Sequence, residues 1–145
     1  MSCLGDIFKD CFLDLNMINF REYVTTSGLR VLGGKNAENN DELVFTANGK
    51  DILLHTNSPG SPFVNVKDNP SKQDIKEAAI FCAKYSQDWR GKKRDVVVNM
   101  FKRNDMNKPV LTKVGSWEVK KQKNITVKAV DILKFEKRLR EEDKS

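Results

Sequence analysis

Residues 71–101 read SKQDIKEAAIFCAKYSQDWRGKKRDVVVNMF, and this stretch decides the fold class. Ser71 and Asp74 are spaced as a capping box just after Pro70, so a helix begins at residue 72. Ile75, Ala78, Ala79, Cys82, Tyr85 and Trp89 recur at helical spacing and form one apolar stripe, which carries the helix to residue 89. Gly91 is placed to stop it. Asp95 to Phe101 then contains Val96-Val97-Val98, the composition of a buried strand. A long helix with one apolar face, followed by such a strand, calls for a sheet on which that face packs.

Toward the N-terminus, Phe20 to Leu32 reads as a hairpin. Tyr23-Val24-Thr25 and Leu29-Arg30-Val31-Leu32 are its β-rich runs, Ser27-Gly28 its turn, and Gly33-Gly34 its end. Asn36 to Leu43 has early acids and opens a short helix. Leu43 to Ala47, Asn48-Gly49 and Asp51 to Thr56 fit a second hairpin equally well, and both readings keep a strand at 51–56. Ser58 to Pro62 is a loop and Phe63 to Val66 a short strand. Leu4, Ile7, Phe8, Cys11, Phe12 and Leu15 form an amphipathic pattern. Residues 1–18 are therefore read as a helical extension, which packs on the domain or docks a protein partner or second copy.

Toward the C-terminus, Lys102 to Lys113 is a long basic connection. Gly115 to Lys120 alternates, and Ile125-Thr126-Val127 is its expected partner strand. Asp131 to Arg140 is a helix, and Glu141 to Ser145 is expected to fray. Strands in runs with separated helices predict an α+β domain: a largely antiparallel sheet, one long central helix and shorter flanking helices. The domain is placed at 19–130, with the C-terminal helix and tail at 131–145.

At 145 residues the chain is one domain's length and long enough to bury an ordinary core. No run approaches the ~20 apolar residues of a membrane span. The N-terminus has no cationic stretch, and Asp6 and Lys9 interrupt its apolar residues, so no secretory signal is expected and the location read is cytoplasmic. Cys3, Cys11 and Cys82 are an odd number without metal-ligand spacing, which disfavours a disulfide framework or a zinc knuckle. His55 is the sole histidine and has no cluster of carboxylates or thiols around it in sequence. No metal and no cofactor are expected.

Charge is distributed unevenly. Residues 1–71 hold six cationic and nine acidic side chains, whereas residues 72–145 hold twenty and eleven. Within 90–128 the ratio is twelve to three. A one-sided basic segment is the footprint of a polyanion binder, because Lys and Arg neutralise phosphates and release counterions. A solvated, solubilising face gives the same count.

The motifs narrow the chemistry. Gly33-Gly34-Lys35-Asn36 fails as a phosphate loop, which needs four residues between its glycines and Ser or Thr after Lys. Those glycines are read as allowing a tight turn from strand to helix. Lys35 and Asn36, near a helix start, are candidates to hold one phosphate. His55 has no nucleophile elbow to serve, and Cys82 belongs to the helix stripe, so catalysis is not expected. Tyr85, Trp89, Phe101 and Trp117 are the aromatics nearest the basic segment; their spacing assigns most of them to the core and leaves one as a base-stacking candidate.

Four stretches, in order, resemble the NFACT RNA-binding domain. They are Gly33-Gly34-Lys35-Asn36-Ala37 with Asn40-Asp41-Glu42-Leu43; Asp51-Ile52-Leu53-Leu54-His55 followed by Gly60-Ser61; Ala78-Ala79 with Tyr85-Ser86; and Val96, Val98 and Lys102 or Arg103. Gly115-Ser116-Trp117-Glu118-Val119 is similar to its closing strand, so the resemblance covers about residues 20–128. The family's Arg-Asp stands here as Lys35-Asn36, which keeps a cation but loses the guanidinium fork. Longer members carry further domains and act in ribosome-associated quality control, so this chain resembles the short, stand-alone form. The resemblance implies RNA binding without chemistry, on structured RNA such as tRNA or rRNA. It implies a specific pocket from Lys35, Asn36, Asn40, His55 and Ser61. Lys102, Arg103, Lys108, Lys120 and Lys121 are expected to contact phosphates. The rival expectation is a protein-interaction module that docks through the 4–15 helix.

Overall fold

A computed structural model describes residues 18–144. The helix expected at 4–15, with Cys3 and Cys11, lies outside the described residues. Strands β1 (Arg21–Val24), β2 (Arg30–Gly33), β3 (Ile52–Thr56), β4 (Val64–Val66), β5 (Val96–Lys102) and β8 (Lys123–Val127) form one sheet in the order β1-β2-β4-β3-β5-β8. Every neighbouring pair is antiparallel. Two short strands, β6 (Met106–Asn107) and β7 (Glu118–Val119), pair separately. The helices are α1 (Ala37–Thr46), α2 (Lys72–Lys84), α3 (Gln87–Lys92) and α4 (Ala129–Lys144). This is the α+β architecture the sequence predicts.

The sheet is apolar on both faces, and a different layer covers each. On one face Val31, Leu54, Val64, Val66, Val96 and Val98 pack under α2 and α4, against Phe81, Trp89, Ile132 and Phe135. On the other face Leu53, Phe63 and Phe101 pack under α1 and the β6–β7 ribbon, against Leu43, Val44 and Met106. Residues two apart on a strand share a face. His55, two after Leu53 and opposite Asn99, therefore continues this second face past the edge of its apolar cluster.

One open choice is resolved and four local expectations are corrected. The open choice at Leu43–Ala47 resolves as helix: Asn36 caps α1, its side chain accepting the Asn39 N–H at 2.8 Å, and Leu43 and Val44 become fully buried. The helix expected over 72–89 breaks at Tyr85–Ser86. Buried Ser86 donates its hydroxyl back to the Ala83 carbonyl (2.6 Å) and accepts the Trp89 N–H (3.3 Å), so it ends α2 and caps α3. Gly91 lies inside α3 rather than ending it; Lys93, in left-handed backbone at φ 50°, is the C-cap. The strand near Gly115–Lys120 pairs with Met106–Asn107, not with Ile125–Val127, because Val119 and Trp117 pack on the second-face cluster while β8 pairs with β5. The C-terminal helix starts at Ala129, whose N–H is received by Asp95 at 2.8 Å, and runs through the stretch expected to fray.

Candidate functional site

The second face is only partly covered. Past the end of α1 it opens into a cleft of about 770 Å³. His55, Phe63, Asn99 and Phe101 line it from the sheet side; Lys35, Asn36 and Asn40 from the start of α1; Tyr85, Gln87 and Arg90 from the α2–α3 break; and Gly115, Ser116 and Trp117 from the loop before β7. Arg21 joins from β1. Among the described residues the lining includes Arg21, Lys35 and Arg90 and no carboxylate.

The double glycine builds the cleft by close approach, not by turn geometry, since neither Gly33 nor Gly34 has positive φ. A Cβ on Gly33 would stand 2.9 Å from Phe81, and one on Gly34 would stand 1.8 Å from Asn40 Oδ1. That contact frees Asn40 to bridge two walls: its Nδ2 donates to the Ser61 carbonyl (3.3 Å) and its Oδ1 accepts the Phe63 N–H (3.0 Å). Ser61 is engaged as well. Its hydroxyl donates to the Pro62 carbonyl (2.8 Å) and accepts the Thr56 N–H (3.0 Å). Buried Cys82, 3.6 Å from Ser61 Oγ, has its pKa pushed up to about 12 by burial and is an inert core thiol.

His55 rests on Phe63, ring centroids 4.4 Å apart. Its Nδ1 lies 2.7 Å from the Thr56 carbonyl oxygen. A carbonyl only accepts, so Nδ1 carries the proton and Nε2 is the acceptor of the neutral ring. Burial lowers the His55 pKa, against the raising effects of the Thr56 bond and Asp88, and favours that neutral form. Asn99 is 8% exposed, and its Oδ1 is a buried acceptor without a hydrogen-bond partner.

All five residues of the expected pocket, Lys35, Asn36, Asn40, His55 and Ser61, line this cleft. Asn40 and Ser61 do so with their polar atoms turned to the protein's own backbone. Lys120 and Lys121 are exposed and lie between the cleft-lining residues Val119 and Gln122. Lys102 is exposed at the far end of β5. Arg103 and Lys108 differ. Arg103 donates to the Val44 carbonyl (2.8 Å) and lies 5.0 Å from the Trp117 ring centroid. Lys108 donates to Asp41 (3.3 Å) and to the Ser116 carbonyl (2.9 Å). Both hold the β6–β7 ribbon against α1.

Sequence reasoning missed Arg21, Arg90 and Asn99. The Arg21 guanidinium stacks 4.0 Å from the Tyr85 ring centroid and donates to the Gly34 carbonyl (3.3 Å). Arg90 donates to the Tyr85 carbonyl (3.1 Å). No local spacing brings residues 21, 85 and 90 together; only the packing of β1 beside the α2–α3 break does so.

The family described as NFACT protein RNA binding domain matches residues 19–121. A Bacillus subtilis (strain 168) protein named Rqc2 homolog RqcH is 42% identical over 67 residues. The matched part makes up 45% of this chain and 12% of that protein. The solved C-terminal part of the fibronectin/fibrinogen-binding protein from Streptococcus suis superposes with a TM-score of 0.69 at 30% identity, covering 76% of this chain and 45% of that one.

Proposed function

Because this chain belongs to the NFACT RNA-binding domain family, we propose that it is a non-catalytic RNA-binding module, cytoplasmic, acting on structured RNA such as tRNA or rRNA in ribosome-associated quality control. The observation that carries the reading is the cleft with Arg21, Lys35 and Arg90 and, among the described residues, no carboxylate in its lining, flanked by exposed Lys120 and Lys121. Such a surface attracts a phosphodiester backbone. The likeness to the Bacillus subtilis protein supports the quality-control setting, and the resemblance to longer family members supports the ribosome as the place of action.

The test is the salt dependence of affinity for a tRNA. With about four to seven phosphates neutralised, the log–log slope should fall at about −3 to −6. Measurable affinity with a flat salt response would sink this reading.

A further inference from the structure

Cations explain the attraction of the cleft for phosphate, but not the apolar residues of the loop beside it. Seven large hydrophobic side chains are exposed among the described residues, and three of them, Val110, Leu111 and Val114, fall in the loop that joins β6 to β7. Val110 is 90% and Leu111 98% exposed, so neither contributes to the core. The loop is held in shape by its own hydrogen bonds. The Pro109 carbonyl accepts the Thr112 N–H (3.3 Å) and the Thr112 hydroxyl (2.9 Å), and the Lys113 carbonyl accepts from Lys108 Nζ and from the Ser116 N–H (both 3.1 Å). Leu111 occupies the third position of the Pro109–Thr112 turn, at φ 69°. Glycine or asparagine takes that seat at least cost, because a Cβ there crowds the backbone, and a leucine strains it. Leu111 therefore stabilises the free protein through neither burial nor backbone conformation. An outlier of this kind points to a role outside the fold.

The surroundings of the tip select its partner. No acidic residue lies between Met106 and Trp117, and Lys113 is exposed beside the tip. Asp41, which meets the loop from α1, is paired with Lys108. Three residues past Leu111 the chain enters the cleft wall, at Val114, Gly115, Ser116 and Trp117. Two side chains are too few for a stable protein interface, which buries about 800 Å² on each partner. They suffice as a wedge, since nucleic-acid-bending proteins part a base step with apolar side chains of this kind. Resting on the RNA-binding reading, we propose that Val110 and Leu111 form an apolar wedge that packs on the face of an unstacked base in the RNA that the cleft binds. A continuous RNA stem shows phosphates, ribose hydroxyls and base edges; the apolar faces of bases are accessible where stacking is interrupted, at a bulge or loop. The wedge distinguishes interrupted from continuous stems, while Lys120, Lys121 and the cations of the cleft bind both alike.

The experiment measures the full chain on two RNAs, a fully paired stem closed by a tetraloop and the same stem with a bulge of three nucleotides. Wild type should bind the bulged stem about tenfold tighter, the scale of burying most of one leucine side chain. Leu111→Gly should remove most of that advantage, keep the affinity for the paired stem and the salt slope, and melt no lower than wild type, because glycine fits the turn. Leu111→Asn, which tolerates the same backbone without glycine's added freedom, should do the same. Equal affinity of wild type for the two stems, or a preference for the bulge that both variants keep, would overturn the proposal and leave the RNA-binding reading standing. So would variants that both melt well below wild type, which would give Leu111 a role in the fold. No binding of either stem would overturn both readings. A wild-type dimer in sedimentation that Leu111→Asn dissociates would overturn the assignment to RNA in favour of a second copy of this chain.

Discussion

Gly34 shows how one missing carbon organises the site. Its absent Cβ is what lets Asn40 reach Ser61 and Phe63, so Gly34→Ala should displace the Asn40 side chain and leave those backbone groups without it. The expected loss is about 2–4 kcal/mol, overpacking plus unsatisfied buried polar groups, read as a lower urea midpoint. Gly91 is the contrast. Nothing lies within 4 Å of where its Cβ would stand, and it is inside α3, so Gly91→Ala should stabilise by about 0.5–1 kcal/mol. Equal effects at the two positions would refute this account of Gly34. His55 carries a second consequence. Its folded pKa lies below 6.5 because burial disfavours the imidazolium. The fold thus favours the neutral ring: that contribution is complete above pH 6.5 and is lost as pH falls through the lowered folded value. NMR should place the His55 midpoint below 6.5, and His55→Gln should lose less stability between pH 7.5 and pH 5 than wild type. A midpoint above 6.5 would reverse the sign.

Among the elements, the β6–β7 ribbon brings three donors to a single oxygen of α1. Asp41 Oδ1 accepts from Lys108 Nζ (3.3 Å), the Gly115 N–H (3.0 Å) and Trp117 Nε1 (2.9 Å), which ties one wall of the cleft to α1. Asp41→Ala should cost about 1–3 kcal/mol, raise hydrogen exchange at Gly115 and red-shift Trp117 fluorescence while the α2 amides stay protected. Unchanged exchange at Gly115 would show that apolar contacts alone hold the ribbon. The ribbon also marks where sequence reading stops. α2 was legible because Ser71, Asp74 and the Ala78-Ala79-Cys82 stripe are local signals. The break after it was not, because Tyr85 and Trp89 prolong the apolar spacing. What interrupts the helix is the back-bonding of Ser86 and a bond from the Gln87 N–H to the distant Gly60 carbonyl at 2.9 Å. The pairing of β7 was likewise invisible, since two-residue strands carry no periodicity and their partner is chosen by Met106 and Val119 meeting one cluster.

Across the whole molecule, charge was legible as a total and not as a distribution of roles. Counting placed Arg103, Lys108, Lys120 and Lys121 in one basic segment, yet a cation acts on a distant phosphate only if nothing nearer holds it. Lys108 is paired with Asp41 and mostly buried, and Arg103 donates to the Val44 and Met106 carbonyls, whereas Lys120 and Lys121 are exposed beside the cleft. By the same measure His55 and Lys35 were legible from motif order, while Asn99 was hidden, because a lone Asn in a valine-rich strand signals nothing until the fold sets it opposite His55 in the lining of the cleft. The division of roles makes a comparison across variants decisive. Replacing Lys120 and Lys121 with Ala should leave the melting point within a degree or two of wild type, since exposed substitutions change stability little. The same change should weaken every RNA about equally and lower the magnitude of the salt slope by about one per lost phosphate contact. Lys108→Met should do the reverse: it strands Asp41 and lowers stability, but the slope should not change, because the ion pair it removes was already neutral. A Lys108→Met chain that stays as stable as wild type and loses a full unit of slope would show that Lys108 leaves Asp41 for phosphate when RNA arrives.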